Sequence, residues 1–496
     1  MKEQQSSYRQ IMKATSLFGG VQLFQIIISI IRSKFIAVLL GPTGMGIVGL
    51  LTSTTGLVGA LTNFGLGTSA VKNISKANST GDENRILTVI SVLRRLVWIT
   101  GALGSIVTLF FSPWLSEITF GNKNYVFAFI WLSITLLLNQ LTSGQLVLLQ
   151  GLRKLKQLAQ ANVYGSLVAL IITIPLYYKF GEKGIVPVMI ITAVITLFFS
   201  WYFTRTTKMK SIKVTNEFTF IEGKNMLKMG FAISLSGLIS LAGAYLLRIF
   251  INRTGNLSDV GLYNAGFTII GSYVGMIFSA MGTDYYPRLS AVANDDEKCR
   301  QNINQQAEIA LLILAPILII FLVFVNWAVI LLYSTKFLAV KDMVYWAALG
   351  MFFKAISWSI AFVFLAKGAS LLFFWNELIG ESYTLGFNLL GYHLGGLTGL
   401  GISFLITYVI YMIQVFIIAK VKYKFSFSPS FQKIFLFQFT LALMGFIVVK
   451  LLCQPYPYVV GSVLIGISGW YSYKELDKRI GLKEILNNYR SKFKNK

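Results

Sequence analysis

The sequence predicts an all-α integral membrane protein with fourteen transmembrane helices, and three observations carry that expectation. Apolar stretches of 18 or more residues recur from residue 14 to residue 473, each long enough to cross a hydrocarbon core about 30 Å thick. Hydrophobic residues make up 55% of the 496 and the mean hydropathy is +0.67, beyond ordinary globular usage. The lysines and arginines between these stretches are divided unequally between the two sides that alternating spans would define.

Spans are expected at 14–39, 47–70, 96–115, 125–149, 158–178, 184–203, 226–251, 260–283, 303–332, 342–366, 371–391, 397–419, 431–452 and 456–473. The first is not a cleavable signal: it is too long, carries Arg32 and Lys34, and lacks a small-residue cleavage site. Gly41-Pro42-Thr43-Gly44 turns the chain into the second. Ahead of the third, residues 83–95 read as an interfacial helix holding Arg94 and Arg95, because 96–115 suffices to span. Basic residues close several spans: Arg153, Lys154 and Lys156 after the fourth, Arg205 to Lys213 after the sixth, Lys420 to Lys424 after the twelfth. A basic tail follows Lys474. Pro175 and Pro316 lie inside spans and are placed to kink them. No polar stretch is long enough for a separate soluble domain.

An even number of spans puts both ends on one side. On that layout 33 lysines and arginines face the side of the termini, 7 face the other, and Arg32, Lys34, Arg248 and Lys354 lie within spans. The positive-inside rule then places both termini in the cytoplasm, in a multi-pass protein of the cell inner (cytoplasmic) membrane. The net charge of +25 is this asymmetry spread along the chain, so no nucleic acid is expected as a partner. Cys299 and Cys453 fall on opposite sides, which excludes a disulfide between them.

Compared with itself at an offset of about 215 residues, the chain shows repeated echoes. Gly46 answers Gly261; Asn162 and Gly165 answer Glu377 and Gly380; Gln150-Gly151 answers Lys367-Gly368 with a shift of two. These suggest two pseudo-symmetric six-helix lobes in parallel orientation, 1–215 and 216–425, with 426–496 holding an added helix pair and the basic tail. Glycines crowd the second span (Gly46, Gly49, Gly56, Gly59, Gly65, Gly67) and the start of the twelfth (Gly395, Gly396, Gly399, Gly401), where small residues let helices approach and slide.

The embedded cations are the main clue to function. A lysine or arginine at the bilayer centre costs roughly 2.5–3.5 kcal/mol on insertion scales, so such residues are usually functional and face a cavity. Arg32 and Lys34 sit near the outer end of the first span, Arg248 at nearly the same place in the seventh, and Lys354 deeper in the tenth. Glu377 and Glu381 are carboxylates placed inside the eleventh span. Arginine grips phosphate oxygens bidentately and lysine supplies a compact charge, so this pattern suits an anionic ligand. Two blander readings stay open. The first three cations could snorkel to the interface, and Lys354 could pair with Glu377 or Glu381. Asn139, Gln140, Gln145, Gln150, Gln157, Gln160 and Asn162 could meet glycan hydroxyls or simply join helices. No metal-ligand spacing, cofactor loop or acid–base constellation is present, and the lone His393 lies at an outer helix end, so a transporter is expected rather than an enzyme.

Phe35-Ile-Ala-Val-Leu-Leu-Gly-Pro-Thr-Gly-Met-Gly46 resembles the end of the first helix in the Wzx-type O-antigen and lipid-linked oligosaccharide flippases of the MOP exporter superfamily. Leu332-Tyr-Ser-Thr-Lys336-Phe, then Asp342, Lys354 and Leu365-Ala-Lys367, resembles the same family's ninth-to-tenth-helix region, and the spacing to Glu377 fits. The resemblance implies a two-lobed, V-shaped fold around a cationic cavity. It implies transfer of an undecaprenyl-pyrophosphate-linked glycan between leaflets, and contacts with polysaccharide polymerase machinery. By position Lys34, Arg248, Lys336, Asp342, Lys354, Lys367 and Glu377 match charged positions of the family, while Arg32 has no firm counterpart. Arg32, Lys34, Arg248 and Lys354 are therefore the expected pyrophosphate site. Glu377, Glu381, Lys367, Asp342 and Lys336 are candidates for H⁺ or Na⁺ coupling or for a cavity ion pair. Two other readings share the superfamily. The fourteen-helix lipid II flippase differs only in its sugar head, and a MATE-like multidrug and cation antiporter would want buried acids and aromatic faces.

Overall fold

The computed structural model describes the backbone of residues 2–207, 212 and 214–480. Side chains are described from Val21 onward within those ranges, except at 23, 216–218, 221, 232, 233, 273, 279, 280, 283 and 480. Most of the basic run between Arg205 and Lys213, and the basic tail from residue 481, lie outside the described residues. Within them the chain is helical with no strand, and ten helical stretches are long and apolar enough to cross a membrane. Three of the ten, Phe24–Asn63, Leu155–Arg205 and Ser370–Tyr423, each take in two of the expected spans. The expected span 456–473 falls within a helix that is not among the ten. Packing divides the chain into two compact units, Met1–Gly261 and Leu262–Lys496.

In the first unit, α1 (Lys2–Asn63) bends at Gly41, whose φ of 68° and ψ of −169° lie outside the helical region. Pro42 disfavours helical dihedrals at the preceding residue, and glycine alone enters this conformation without a Cβ clash. The second expected span, 47–70, stops short. Phe64 and Gly65 both take positive φ, with Gly65 N donating 2.7 Å to Asn63 Oδ1, and α2 (Leu66–Thr80) starts anew. The interfacial helix expected over 83–95 is not separate. α3 (Glu83–Phe110) is unbroken, because nothing between Asp82, which caps it through Arg85 N at 3.1 Å, and Phe111 stops a helix. The chain breaks at Phe111 and restarts as α4 (Ser112–Phe120), with Pro113 in its first turn.

α5 (Val126–Gly151), α6 (Leu155–Phe180) and α7 (Ile185–Arg205) follow, the last two joined by a turn at Gly181–Gly184. α6 carries no non-helical dihedrals at Pro175. α8 (Asn216–Thr254) begins ten residues before the span expected at 226 and packs on α1, α2, α3 and α4. Its outer end is tied down by a buried hydroxyl chain. Tyr245 Oη lies 2.7 Å from Thr119 Oγ1, which lies 3.3 Å from Thr54 Oγ1. Asn252 Nδ2 donates 3.0 Å to the Thr119 carbonyl, and Arg253 caps α4 through the carbonyls of Ile118, at 3.1 Å, and Glu117.

The span expected at 260–283 is three pieces. α9 (Leu257–Phe267) runs into a wide turn at Thr268–Val274 and then α10 (Met276–Ala291). Thr268 Oγ1 donates 2.7 Å to the Asn264 carbonyl there, a side-chain bond that competes with the helix ladder. The start of α9 supplies the tightest backbone contact of the first unit. A Cβ on Gly46 would strike the Leu257 carbonyl oxygen, and one on Gly261 would strike that of Pro42. The two glycines equated by the internal repeat thus meet each other.

In the second unit, α11 (Asp296–Leu332) and α12 (Lys341–Ala366) form the core, with Leu311, Leu318, Leu322, Val344, Phe352 and Ile360 at 1% exposure or less. Asp295 caps α11, and its backbone bond from Lys298 N holds the carboxyl below the usual range. The non-helical dihedrals of α11 fall at Phe324, not at Pro316. α13 (Ser370–Tyr423) folds back at Gly395–Gly396, with φ 54° at Gly396, so the expected loop is a bend. α14 (Pro429–Leu451) and α15 (Tyr456–Ile480) pack on α11. Along α14, Phe427, Phe431, Phe435 and Phe439 recur every four residues and stack at 4.6, 6.2 and 5.4 Å, within 16° of parallel. Long-range ion pairs among the described residues include Arg85–Glu222, Lys367–Asp296, Lys450–Asp342 and Arg479–Glu308.

A side chain at the Gly46–Gly261 crossing overpacks backbone against backbone, which costs about 1–3 kcal/mol or more. Gly46→Val and Gly261→Val are expected to cut the yield of monodisperse purified protein several-fold. Gly56→Ala, at a position open to at least 4 Å, should leave it unchanged. Size-exclusion profiles of the three variants check this.

Candidate functional site

In the first unit the candidate cations lie on α1 and α8. Arg32 is half-buried beside Tyr177 of α6, and its Nε is enclosed with no hydrogen-bond partner. Lys34 is also half-buried. Two residues along a helix are about 200° apart, so α1 turns Arg32 and Lys34 to different sides. Arg248 is half-buried on α8, where Nη1 donates 2.9 Å to the Ala244 carbonyl one turn back.

The sequence missed two further cations of this unit. Because α3 is unbroken, Arg94 and Arg95 stand well inside it, roughly 16 Å of helix rise beyond Glu83. Arg94 borders a small gap with Trp98 and Gln145, and Arg95 Nη1 donates 3.0 Å to Thr219 of α8. The signal was there: Glu83 to Leu96 contains no glycine or proline to end a helix.

In the second unit Lys354 sits at the middle of α12. Its ammonium stands 5.0 Å from the centroid of Tyr408 and 5.8 Å from that of Phe404, both on α13. A cation over an aromatic face gains about 0.5–2 kcal/mol, and more as water is excluded. Glu377 is held by Tyr411 and Asn376 rather than by a lysine. The Tyr411 hydroxyl donates to Glu377 Oε1, and Asn376 Nδ2 bridges Oε1 at 3.2 Å and the Tyr411 oxygen at 3.0 Å. Gln414 Nε2 completes the cluster, donating 2.8 Å to Asn376 Oδ1.

Tyr408 joins the two groups, its ring 6.5 Å from that of Tyr411. The hairpin of α13 makes this arrangement. Working back from Gly395–Gly396, Gly391 faces Gly399, Asn388 accepts 2.6 Å from Ser403, Gly380 faces Tyr411, and Asn376 faces Gln414. Neither Tyr411 nor Tyr408 stood out in the sequence, because a tyrosine in an apolar helix carries no signal until its hairpin partner is known. Glu381 is half-buried one turn from Glu377.

The remaining candidates lie at the two ends of α12, roughly 37 Å apart. Asp342 pairs with Lys450 of α14, whose ammonium stands 5.4 Å from the Tyr345 ring, and Lys336 is exposed on the preceding turn Thr335–Val340. Lys367 pairs with Asp296 at 2.7 Å and donates 2.6 Å to the Ala293 carbonyl. These three are thus placed away from Lys354 and Glu377. Among the described residues, no group of three or more His, Cys, Asp or Glu could hold a metal ion.

Solved structures share this architecture. A multidrug resistance MATE family transporter of the MOP superfamily, in an inward-facing conformation, matches at a TM-score of 0.67 and 16% identity over 81% of this chain and 94% of that one. The lipid II flippase MurJ, in an inward closed conformation, matches at 0.70 and 12% over 93% and 99%. A MOP superfamily transporter from Pyrococcus furiosus Vc1 (DSM3638), described as having a binding pocket of reverse polarity, matches at 0.57 and 16% over 89% and 96%. Among curated proteins no match is found. The fold is that of the MOP superfamily, and the protein is an all-α, multi-pass membrane protein of that class. A model of the polysaccharide biosynthesis protein family matches residues 35–342, and the chain belongs to that family.

Two polar pairs, one at the start of α12 and one within the α13 hairpin, give different expectations for a double-mutant cycle. Asp342 and Lys450, each about a third exposed at 32% and 35%, should couple by about 0.2–1 kcal/mol. Glu377 and Tyr411 lie among packed helices, where double-mutant cycles average about 0.6 kcal/mol and reach about 1.7. Thermal unfolding of Asp342→Asn with Lys450→Met, and of Glu377→Gln with Tyr411→Phe, should show the larger coupling in the second pair.

Proposed function

We propose that the protein moves an undecaprenyl-pyrophosphate-linked oligosaccharide from the cytoplasmic to the outer leaflet of the inner membrane. Transport would proceed by alternating access between the lobes 1–215 and 216–425, through a cationic central cavity. The polyprenyl tail stays in lipid, since moving it into water costs about 0.8 kcal/mol per CH₂. Only the pyrophosphate and the sugars need a path. The observation that carries the reading is Arg32, on a helical stretch long and apolar enough to span, with its Nε enclosed and without a hydrogen-bond partner among the described residues. A charge kept there without an ion pair is best accounted for by an anion that it meets in transit. Arg248 and Lys354 are the further anion contacts in this reading, while Lys34 is turned to another side of α1. Membership of a polysaccharide biosynthesis family makes a glycan carrier the fitting anion.

Outward movement of a pyrophosphate across an inside-negative membrane gains roughly 2.3 kcal/mol per charge per 100 mV. Cations that return unaccompanied cancel part of that gain. Glu377, hydrogen-bonded rather than ion-paired among the described residues, is the group placed to carry a coupling proton on the return. The fold shared with MurJ favours a second reading, in which the carrier is lipid II.

Complementation tests both. In a strain lacking its own oligosaccharide flippase, the wild type should restore surface glycan and Arg32→Ala should lower it at least tenfold at equal protein level. Arg32→Lys should retain part of the activity. Normal export by Arg32→Ala contradicts the assignment, and rescue of a strain lacking the lipid II flippase instead moves the substrate to lipid II.

A further inference from the structure

Within the first unit, α1, α5, α6 and α7 enclose a second polar space of about 440 Å³, inside the range of about 300–1,000 Å³ typical of small-molecule sites. Its polar lining among the described residues is uncharged: Gln22 and Gln25 from α1, Thr142 from α5, Asn162 and Ser166 from α6, Thr196 and Ser200 from α7. Gln25 spends its amide N–H groups inside the protein, donating 2.9 Å to the Asn162 carbonyl and 2.9 Å to Ser166 Oγ. Ser166, Thr196 and Ser200 turn their hydroxyl protons onto their own helices, which leaves their lone pairs toward the space. The side-chain amides of Gln22 and Asn162 have no hydrogen bond among the described residues.

Gln22 is exposed and Asn162 half-buried, so their amides are open to the space rather than sealed in the protein. A ligand or water must therefore meet them. The chemistry of the lining limits which ligand. No cation is present for a phosphate and no carboxylate for an organic cation, while an alkyl chain would leave the amides unmet. Groups that both donate and accept without charge, such as sugar hydroxyls and acetamido groups, satisfy every one.

The space is also connected to the candidate anion site by sequence geometry. Gln22, Gln25, Ser29 and Arg32 recur at steps of three, four and three along α1, a single polar stripe on an otherwise isoleucine-rich helix. Gln25 and Arg32, two turns apart, lie on the same face roughly 10 Å from one another. That separation is on the scale of one or two sugar rings.

We infer that this pocket is a subsite for an uncharged, hydroxyl- and amide-bearing sugar, which it holds while Arg32 holds the adjoining pyrophosphate. The inference rests on the flippase reading given above and extends it to the sugar head.

The test uses the full chain in lipid nanodiscs with two probes, undecaprenyl pyrophosphate and undecaprenyl-pyrophosphate-linked N-acetylglucosamine, their affinities measured by native mass spectrometry. The wild type should bind the sugar-bearing lipid at least tenfold more tightly. Asn162→Leu and Gln22→Leu remove amides that make no bond within the described protein, so both should fold. Each should reduce the ratio of affinities to about one or two, chiefly through loss of affinity for the sugar-bearing lipid. An unchanged ratio in both variants, or equal binding of the two probes by the wild type, overturns the subsite and leaves a merely hydrated pocket. Failure of the wild type to bind either probe overturns the flippase reading together with the inference.

Discussion

In a lipid bilayer a polar group without a partner has no solvent to fall back on, and the interior of this protein is organised around that constraint. Most of its embedded polar groups are satisfied locally. Serine and threonine hydroxyls bond to carbonyls one turn back, Tyr245 links Thr119, and Glu377 is held by Tyr411 and Asn376. Against that background the exceptions stand out. Among the described residues they include Arg32 Nε, Asn264 Nδ2, Asn326 Oδ1 and the Tyr383 hydroxyl, each buried without a hydrogen-bond partner.

The two units treat charge differently. In the first, the intramembrane charges are basic and the pocket beside them is neutral. In the second, Lys354 rests on the faces of Tyr408 and Phe404, and an acid, Glu377, lies a few residues away through the aromatic pair. Aromatic faces attract an ammonium through the ring quadrupole, an interaction that grows as water is excluded. The ion pairs that do form, Lys367–Asp296 and Lys450–Asp342, sit at the ends of α12, where they fasten neighbouring helices.

Much of the architecture could be read from composition and spacing, because crossing a membrane demands a long apolar run and the positive-inside rule marks its ends. The membrane class and the positions of most helices followed from those rules, whereas the MOP fold came from the resemblance carried by Phe35 to Gly46 and by Leu332 to Lys367. What escaped was set by backbone geometry that composition does not report. The bend at Gly41 and the hairpin at Gly395–Gly396 replace expected loops, since a glycine with positive φ turns a chain in one or two residues. The length of α3 was underestimated because a span was taken to need only about 20 residues, which hid Arg94 and Arg95 inside a helix. At the candidate site the cations were visible as violations of hydropathy, whereas Tyr408, Tyr411 and the neutral amide pocket depend on which helices face each other.

The most direct measurement compares the binding of undecaprenyl pyrophosphate and of uncharged undecaprenol to the wild type and to Arg32→Gln in the same nanodiscs. If an unpaired guanidinium awaits a diphosphate, the wild type prefers the charged lipid by at least tenfold and Arg32→Gln loses most of that preference. Equal affinity for both lipids in the wild type, or a preference that survives the substitution intact, would contradict the account.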